Sequence, residues 1–162
     1  MQSTGNYCKK LATELFPICR SIMGPGTRQT LKILNREMPD LEIKQVKSGY
    51  KAFDWTVPKE WQIKEAYIED SQGNRIVDFE ENNLHVINYS QAVDTFLSLS
   101  ELKENLHSIP SMPDAIPYLA SYYDKTWGFC IADNKKSQLK DDTYHCVINS
   151  NFIDGTLDYG EL

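Results

Sequence analysis

The sequence predicts an α+β fold, with a helical pair over residues 1–40 followed by a mostly β domain over residues 41–162. Three observations carry this. Apolar residues in the first forty positions recur every three to four residues, the helical period. From Leu41 onward they alternate with polar residues or gather in short runs rich in β-branched and aromatic types. The chain, 162 residues with 41% hydrophobic and 25% charged side chains, is long enough to bury a core without disulfide support.

In the first part, Leu11, Ala12, Leu15, Ile18, Cys19 and Ile22 fall on one helical stripe, which Pro17 kinks or restarts. Gly24-Pro25-Gly26 reads as a break. Thr27 is the expected N-cap of a second helix, in which Leu31, Leu34 and Met38 share a face before Pro39. Arg20, Arg28, Lys32 and Arg36 are balanced by Glu14 and Glu37, so two packing helices are favoured over a DNA-reading helix pair.

In the second part, Leu41 and Ile43 alternate with charges, and Trp61–Ile68 and Ile76–Phe79 flank the turn Ser71-Gln72-Gly73-Asn74 as a hairpin. Asn82-Asn83 then turns into an expected strand over Leu84–Tyr89. Ser98 with Glu101 forms a capping box for a helix from about Leu99 to His107. Ser111–Pro117 is too proline-rich for a regular element and is expected as an extended loop. Strands are expected over Trp127–Ile131, Tyr144–Ile148 and Thr156–Tyr159, with a polar connection over Asp133–Asp142.

The net charge of -6, spread along the chain without a basic run, argues against nucleic acid as a partner. Met1-Gln2-Ser3-Thr4-Gly5-Asn6 lacks the basic and apolar regions of a secretory signal, and no apolar run spans a bilayer, so a cytoplasmic, non-membrane protein is expected. Cys8, Cys19, Cys130 and Cys146 contain no C-x-x-C pair and read as buried, reduced thiols.

Catalytic signatures are missing from the sequence. His85, His107 and His145 lie in different elements, none in a His-Glu-x-x-His helix, so no local zinc pair exists and no cofactor is expected in this chain. His85 and His145 read as strand residues with hydrogen-bonded imidazoles, and His107 as a helix C-terminal residue facing the dipole. His145 and Cys146 would point to opposite faces of a strand, which excludes them as a joint Cys-His pair. Nucleophile-elbow and phosphate-loop glycine patterns are also absent. What stands out is aromatic: Tyr50, Phe53, Trp55 and Trp61 in one stretch, Tyr118, Tyr122, Tyr123 and Trp127 in another. Such groups bind peptides or sugars, or fill a small core. Asp54, Trp55, Asp114, Tyr122 and Tyr123, in two proline-bounded tracts, are the candidate substrate-binding residues, and no catalytic or metal residue is assigned.

Five tracts in order, Arg20–Gly26, Phe53–Trp61, Asn83–Ser90, Pro113–Tyr118 and Trp127–Cys130, resemble a prokaryotic family of aminopeptidase-like proteins of unknown function. Its members are often described as polysaccharide biosynthesis proteins with an aminopeptidase-like domain. The resemblance implies a zinc-aminopeptidase-like scaffold, with 1–40 as its helical lead-in and 41–162 as an inserted β-rich domain. In that family the metal-site loop follows the segment matching Tyr159-Gly160-Glu161-Leu162, so the resemblance puts no zinc ligand on positions here. It implies a non-catalytic N-terminal portion that shapes substrate access, with zinc belonging to a full-length protein. The alternative is a β-rich module binding a peptide, saccharide or protein in surface-polysaccharide biosynthesis. The remainder of the aminopeptidase-like domain is the expected partner, and a homodimer would cover the lead-in helices.

Overall fold

A computed structural model describes residues 3–162; Met1 and Gln2 of the N-terminal tract lie outside the described residues. The fold is α+β, as the sequence predicts. In chain order the elements are α1 (Thr4–Leu15), α2 (Pro25–Glu37), β1 (Glu42–Lys47), β2 (Lys51–Ala52), β3 (Trp55–Thr56), β4 (Glu60–Glu69) and β5 (Arg75–Asp78). A 3₁₀ turn (Asn83–His85) follows, then β6 (Val93–Ser98), α3 (Leu99–Glu104), β7 (Leu106–His107), β8 (Phe129–Cys130), α4 (Asp133–Lys136), β9 (Thr143–Ile153) and β10 (Thr156–Glu161).

The chain divides into two compact units, residues 1–60 with 154–162, and residues 61–153. The units do not coincide with the sequence division at 40/41, which separates helix from strand. The reason is pairing at long range: β1 runs antiparallel to β10, from Glu42 opposite Glu161 to Lys47 opposite Thr156, and so binds the end of the chain to its first third.

In the first unit, Ser3 caps α1 by accepting from the Asn6 amide at 3.3 Å, and Pro17 prevents the helix from continuing past Leu15. The predicted stripe to Ile22 is therefore cut short. The two helices are separated as expected, but α2 starts within Gly24-Pro25-Gly26 and not after it: Gly24 is the N-cap at φ 130° and Pro25 stands at its first turn, where no intrahelical N–H is needed. Gly26 presses on the Cys19 carbonyl so closely that a Cβ would lie 1.8 Å from its oxygen. Thr27 does not cap; its hydroxyl donates to the Ser21 carbonyl at 2.6 Å. Arg28, on the first turn of α2, reaches a buried carboxylate pair. Its two Nη groups each donate to Glu60 at 2.9 Å, and Nη1 also lies 3.3 Å from Asp158, which accepts from Gln45 at 2.6 Å.

In the second unit, a four-stranded sheet has the order β5-β4-β9-β6. The β4–β5 hairpin closes where predicted: the Asp70 carboxylate accepts from the Gln72 and Asn74 amides at 2.9 and 2.8 Å, and Gly73 supplies the left-handed residue at φ 80°. Ala66 and Ile68 of β4, Val77 of β5, and Tyr144, Cys146 and Ile148 of β9 are buried, as are Leu102, Leu106, Phe129 and Ile131. The Ser98–Glu101 capping box forms, but α3 ends at Glu104 and not near His107. The chain there enters a short parallel pairing of β7 with β8, sealed by the Phe129 amide donating to the Asn105 carbonyl at 2.8 Å.

Two predicted strands shrink in this unit. Leu84–Tyr89 is a 3₁₀ turn and an irregular extended segment: the Asn82 side chain accepts from the Leu84 amide, and the Ile87 and Asn88 amides donate to Gly128 and Leu119 instead of to a sheet strand. Trp127–Ile131 keeps only Phe129–Cys130. The four thiols are free, yet only Cys130 and Cys146 are buried; Cys8 is exposed and Cys19 half-buried, which corrects the expectation of four interior thiols.

Candidate functional site

Asp54 and Trp55 sit in the first unit on the β2–β3 hairpin, where Lys51 opposes Thr56 and Ala52 opposes Trp55. That register leaves Phe53 and Asp54 as a two-residue connection, a geometry that asks for left-handed residues and hence for Gly or Asn. Phe53 takes it at φ 57° with its ring 104% exposed. An aromatic ring in that conformation gains no burial to offset a backbone cost of about 1–3 kcal/mol. Asp54 is exposed beside it and Trp55 is half-buried.

Asp114, Tyr122 and Tyr123 lie in the second unit. Tyr122 packs edge-on against Tyr89 with ring centroids 4.9 Å apart, and its hydroxyl is 3.3 Å from that of Tyr118. Burial, with the Tyr118 contact next, pushes the Tyr122 hydroxyl pKa up. Tyr89 is itself buried at a positive φ of 69°, stacked at 6.2 Å on Trp61. The loop bearing Tyr122 is fastened to the Tyr89 segment by the Ser121 amide donating to the Asn88 carbonyl at 2.9 Å. Tyr123 is 80% exposed and meets Tyr122 at 6.4 Å. Asp114 is exposed and accepts from the Asn134 side chain, so it serves a loop contact and not the tyrosine patch. The five predicted residues thus fall into a hairpin tip, a tyrosine patch and a separate loop carboxylate.

The histidines differ from expectation in two of three cases. His85 is not in a strand but buried in the 3₁₀ turn, with Nδ1 2.7 Å from the Cys130 carbonyl. Burial pulls its pKa down. His107 sits in β7 and not at a helix end; burial, and then Lys136, lower its pKa. His145 is a strand residue on the solvent-facing side of β9, with Nε2 2.7 Å from Asp94 and its ring stacked on Phe96 at 4.3 Å. Cys146 beside it points inward and is buried, as strand alternation requires, and burial raises its thiol pKa to about 11.

Sequence reasoning missed β6, which supplies Asp94 and Phe96. The signal in Val93-Asp94-Thr95-Phe96-Leu97-Ser98 was one of composition, β-branched and aromatic types directly before the capping box, without apolar-polar alternation; the alternation of half-buried and exposed positions shows only in the structure. Among the described residues, no group of three or more His, Cys, Asp or Glu side chains is arranged to hold a metal ion. The zinc that the resemblance implies therefore has no fitting donor set here: His145, the histidine with carboxylate neighbours, has its Nε2 engaged by Asp94 and its Nδ1 3.9 Å from Glu69.

The profile of a domain of unknown function, DUF2172, matches residues 60–151, more than half of the chain and nearly the whole of the second unit. The chain belongs to the DUF2172 family. It is 54% identical over 158 residues to a protein of Clostridium acetobutylicum named "Putative polysaccharide biosynthesis protein with aminopeptidase-like domain". Its fold matches, with a TM-score of 0.91 and 54% identity over 98% of its length, the crystal structure of a "putative peptidase" from the same organism. The DUF2172 chain spans 36% of the first relative's length and 37% of the second's. It is thus related to part of an aminopeptidase-like protein. Among the described residues no helix is long and apolar enough to cross a membrane.

Proposed function

We propose that this chain is the non-catalytic N-terminal portion of an aminopeptidase-like hydrolase and that it shapes access of a peptide substrate to a zinc site held by the remainder of that domain. The observation that carries the reading is the Phe53-Asp54 tip: a fully exposed ring held at φ 57° next to an exposed carboxylate. Strain of that kind persists where it has a use, and an aromatic tip with a carboxylate suits contact with a peptide entering a neighbouring site. The relatives' printed names support the peptidase setting. A cytoplasmic location is part of the proposal and suits four free cysteines.

The test uses the protein that carries this segment together with the peptidase-like remainder. Asp54→Ala and Trp55→Ala should raise KM for a peptide substrate about tenfold, about 1.4 kcal/mol, with thermal stability unchanged. Unaltered KM in both would overturn the reading.

A second reading, a binding module for a saccharide in surface-polysaccharide biosynthesis, is favoured by the patch of Tyr118, Tyr122 and Tyr123 around the buried Tyr89. Loss of oligosaccharide binding by the 162-residue chain on Tyr123→Ala, with KM in the longer protein unaffected, would select it.

A further inference from the structure

The two outer edges of the four-stranded sheet are built differently. At one end β5 has four residues, its pairing with β4 shifts register between Ile68 and Glu69, and Arg75 and Asp78 put a charge at each of its ends. Shortness, a bulge and charge are features that keep an edge from pairing with another strand. At the other end β6 has none of this protection. Its six residues, Val93-Asp94-Thr95-Phe96-Leu97-Ser98, pair with β9 without a register shift and include no proline, glycine or lysine. Asp94, its one charged residue, is held by His145 at 2.7 Å. Alternate residues of an antiparallel strand turn N–H and C=O away from the neighbouring strand. Among the described residues no strand lies beyond β6, and the backbone of Val93–Leu97 makes no hydrogen bond outside its pairing with β9.

Both faces of the sheet stop short at this edge. On the core-facing side Val93, Thr95 and Leu97 are half-buried, although the β9 residues opposite them, Ile148, Cys146 and Tyr144, are buried. On the other face a row of rings crosses the strands: Tyr67 of β4 meets His145 of β9 edge-on at 5.9 Å, and His145 stacks on Phe96 of β6 at 4.3 Å. The Arg75 guanidinium, 4.2 Å from the Tyr67 centroid, closes the row on the β5 side. On the β6 side the row is open, with Phe96 67% exposed.

We propose that β6 is a dimerisation edge that pairs antiparallel with β6 of a second copy. A twofold axis at Phe96 sets Phe96 against its equivalent, Asp94 against Ser98, and Thr95 against Leu97. No like charges then meet, the ring rows of the two copies join through the two Phe96 rings, and Thr95 and Leu97 cover each other on the core-facing side. A second copy fits this edge because the strand carries what the edge lacks: a ring to continue the row and half-buried side chains to finish the core. The pairing also closes, since the joined sheet ends on the protected β5 at both sides and growth stops at two copies. The dimer uses no residue of the hairpin tip and does not depend on the peptidase reading.

Sedimentation velocity of the 162-residue chain tests this. Between about 10 µM and about 1 mM, a range suited to an interface at the small end of stable sizes, monomer should give way to dimer. Hydrogen exchange at the two ends of that range should show added protection in β6 and none in β5 or α1. Phe96→Lys, at an exposed position, should raise the dimer dissociation constant at least tenfold with thermal stability kept. Phe16→Ala, at the exposed end of α1, should leave it unchanged. Should Phe96→Lys unfold, the exchange pattern of the parent chain decides. A monomer at every concentration, concentration-dependent protection at α1 or β5 in place of β6, assembly beyond two copies, or a dimer of undiminished strength in folded Phe96→Lys would overturn the proposal.

Discussion

Arg28 and Glu60, 32 residues apart, form a two-pronged pair in which each guanidinium Nη lies 2.9 Å from a different carboxylate oxygen. Glu60 is 2% exposed, so its charge relies on such donors. Arg28→Ala removes two charge-assisted hydrogen bonds from a buried carboxylate and one contact from Asp158, and should cost about 3 kcal/mol. Arg28→Lys keeps the charge without the fork and should cost less than Arg28→Ala. Urea unfolding of both variants measures the order; equal stability of Arg28→Ala and the parent would refute it.

Gly155 adjoins the same pair. A Cβ there would lie 2.5 Å from Glu60 Oε2 and 2.9 Å from Glu60 Cβ, and Arg28 holds that carboxylate in place. Gly155→Ala should destabilise by about 1–3 kcal/mol. Because the clash depends on a fixed Glu60, the cost should fall in an Arg28→Ala background. Strict additivity in the double-mutant cycle would show that Glu60 is fixed by something other than Arg28.

Phe53 leads to an expectation opposite to that for most aromatic substitutions. Its ring is fully exposed and its φ is 57°, so replacement by Gly removes backbone strain without opening a cavity. Phe53→Gly should leave the 162-residue chain as stable or raise its stability by up to about 1 kcal/mol. A loss of more than about 1 kcal/mol in thermal unfolding would mean the ring is buried in solution.

How far the sequence could be read depended on whether a segment's partners were local. The β4–β5 turn needs only Asp70, Gly73 and Asn74, and α3 starts on Ser98 and Glu101, so both were legible. The β1–β10 pairing joins Glu42 to Glu161, and nothing near either residue announces it. The same holds for the buried Arg28 cluster, whose members Arg28, Glu60 and Asp158 lie far apart in sequence. Leu84–Tyr89 has strand-like composition but bonds to the 119–128 segment, a tertiary choice that overrides local preference. Of the candidate site residues, Tyr122 and Tyr123 do meet, because they are adjacent in sequence; Asp114 was grouped with them as the polar member of a proline-bounded, aromatic tract, and its carboxylate goes to Asn134.

His85 makes stability depend on pH in a definite direction. Burial lowers its pKa from the ordinary 6.5, and Lys135 acts the same way, while the Cys130 carbonyl, Glu81 and Asp78 oppose them. Its Nδ1–H donates to that carbonyl at 2.7 Å, a bond the neutral ring already makes. The unfolded chain therefore binds the proton more readily than the folded one. The resulting stabilisation is complete above about pH 6.5 and is lost as pH falls toward the depressed folded value. His107, lowered by burial and Lys136, contributes with the same sign. Unfolding free energy should decline between pH 7.5 and 5.5, by at most about 1.4 kcal/mol per pH unit for each proton. His85→Asn keeps a side-chain donor without a titrating ring and should flatten the decline, leaving the His107 share. An identical slope in the variant would mean that His85 takes up its proton equally in the folded and unfolded chains, and would place the pH sensitivity elsewhere.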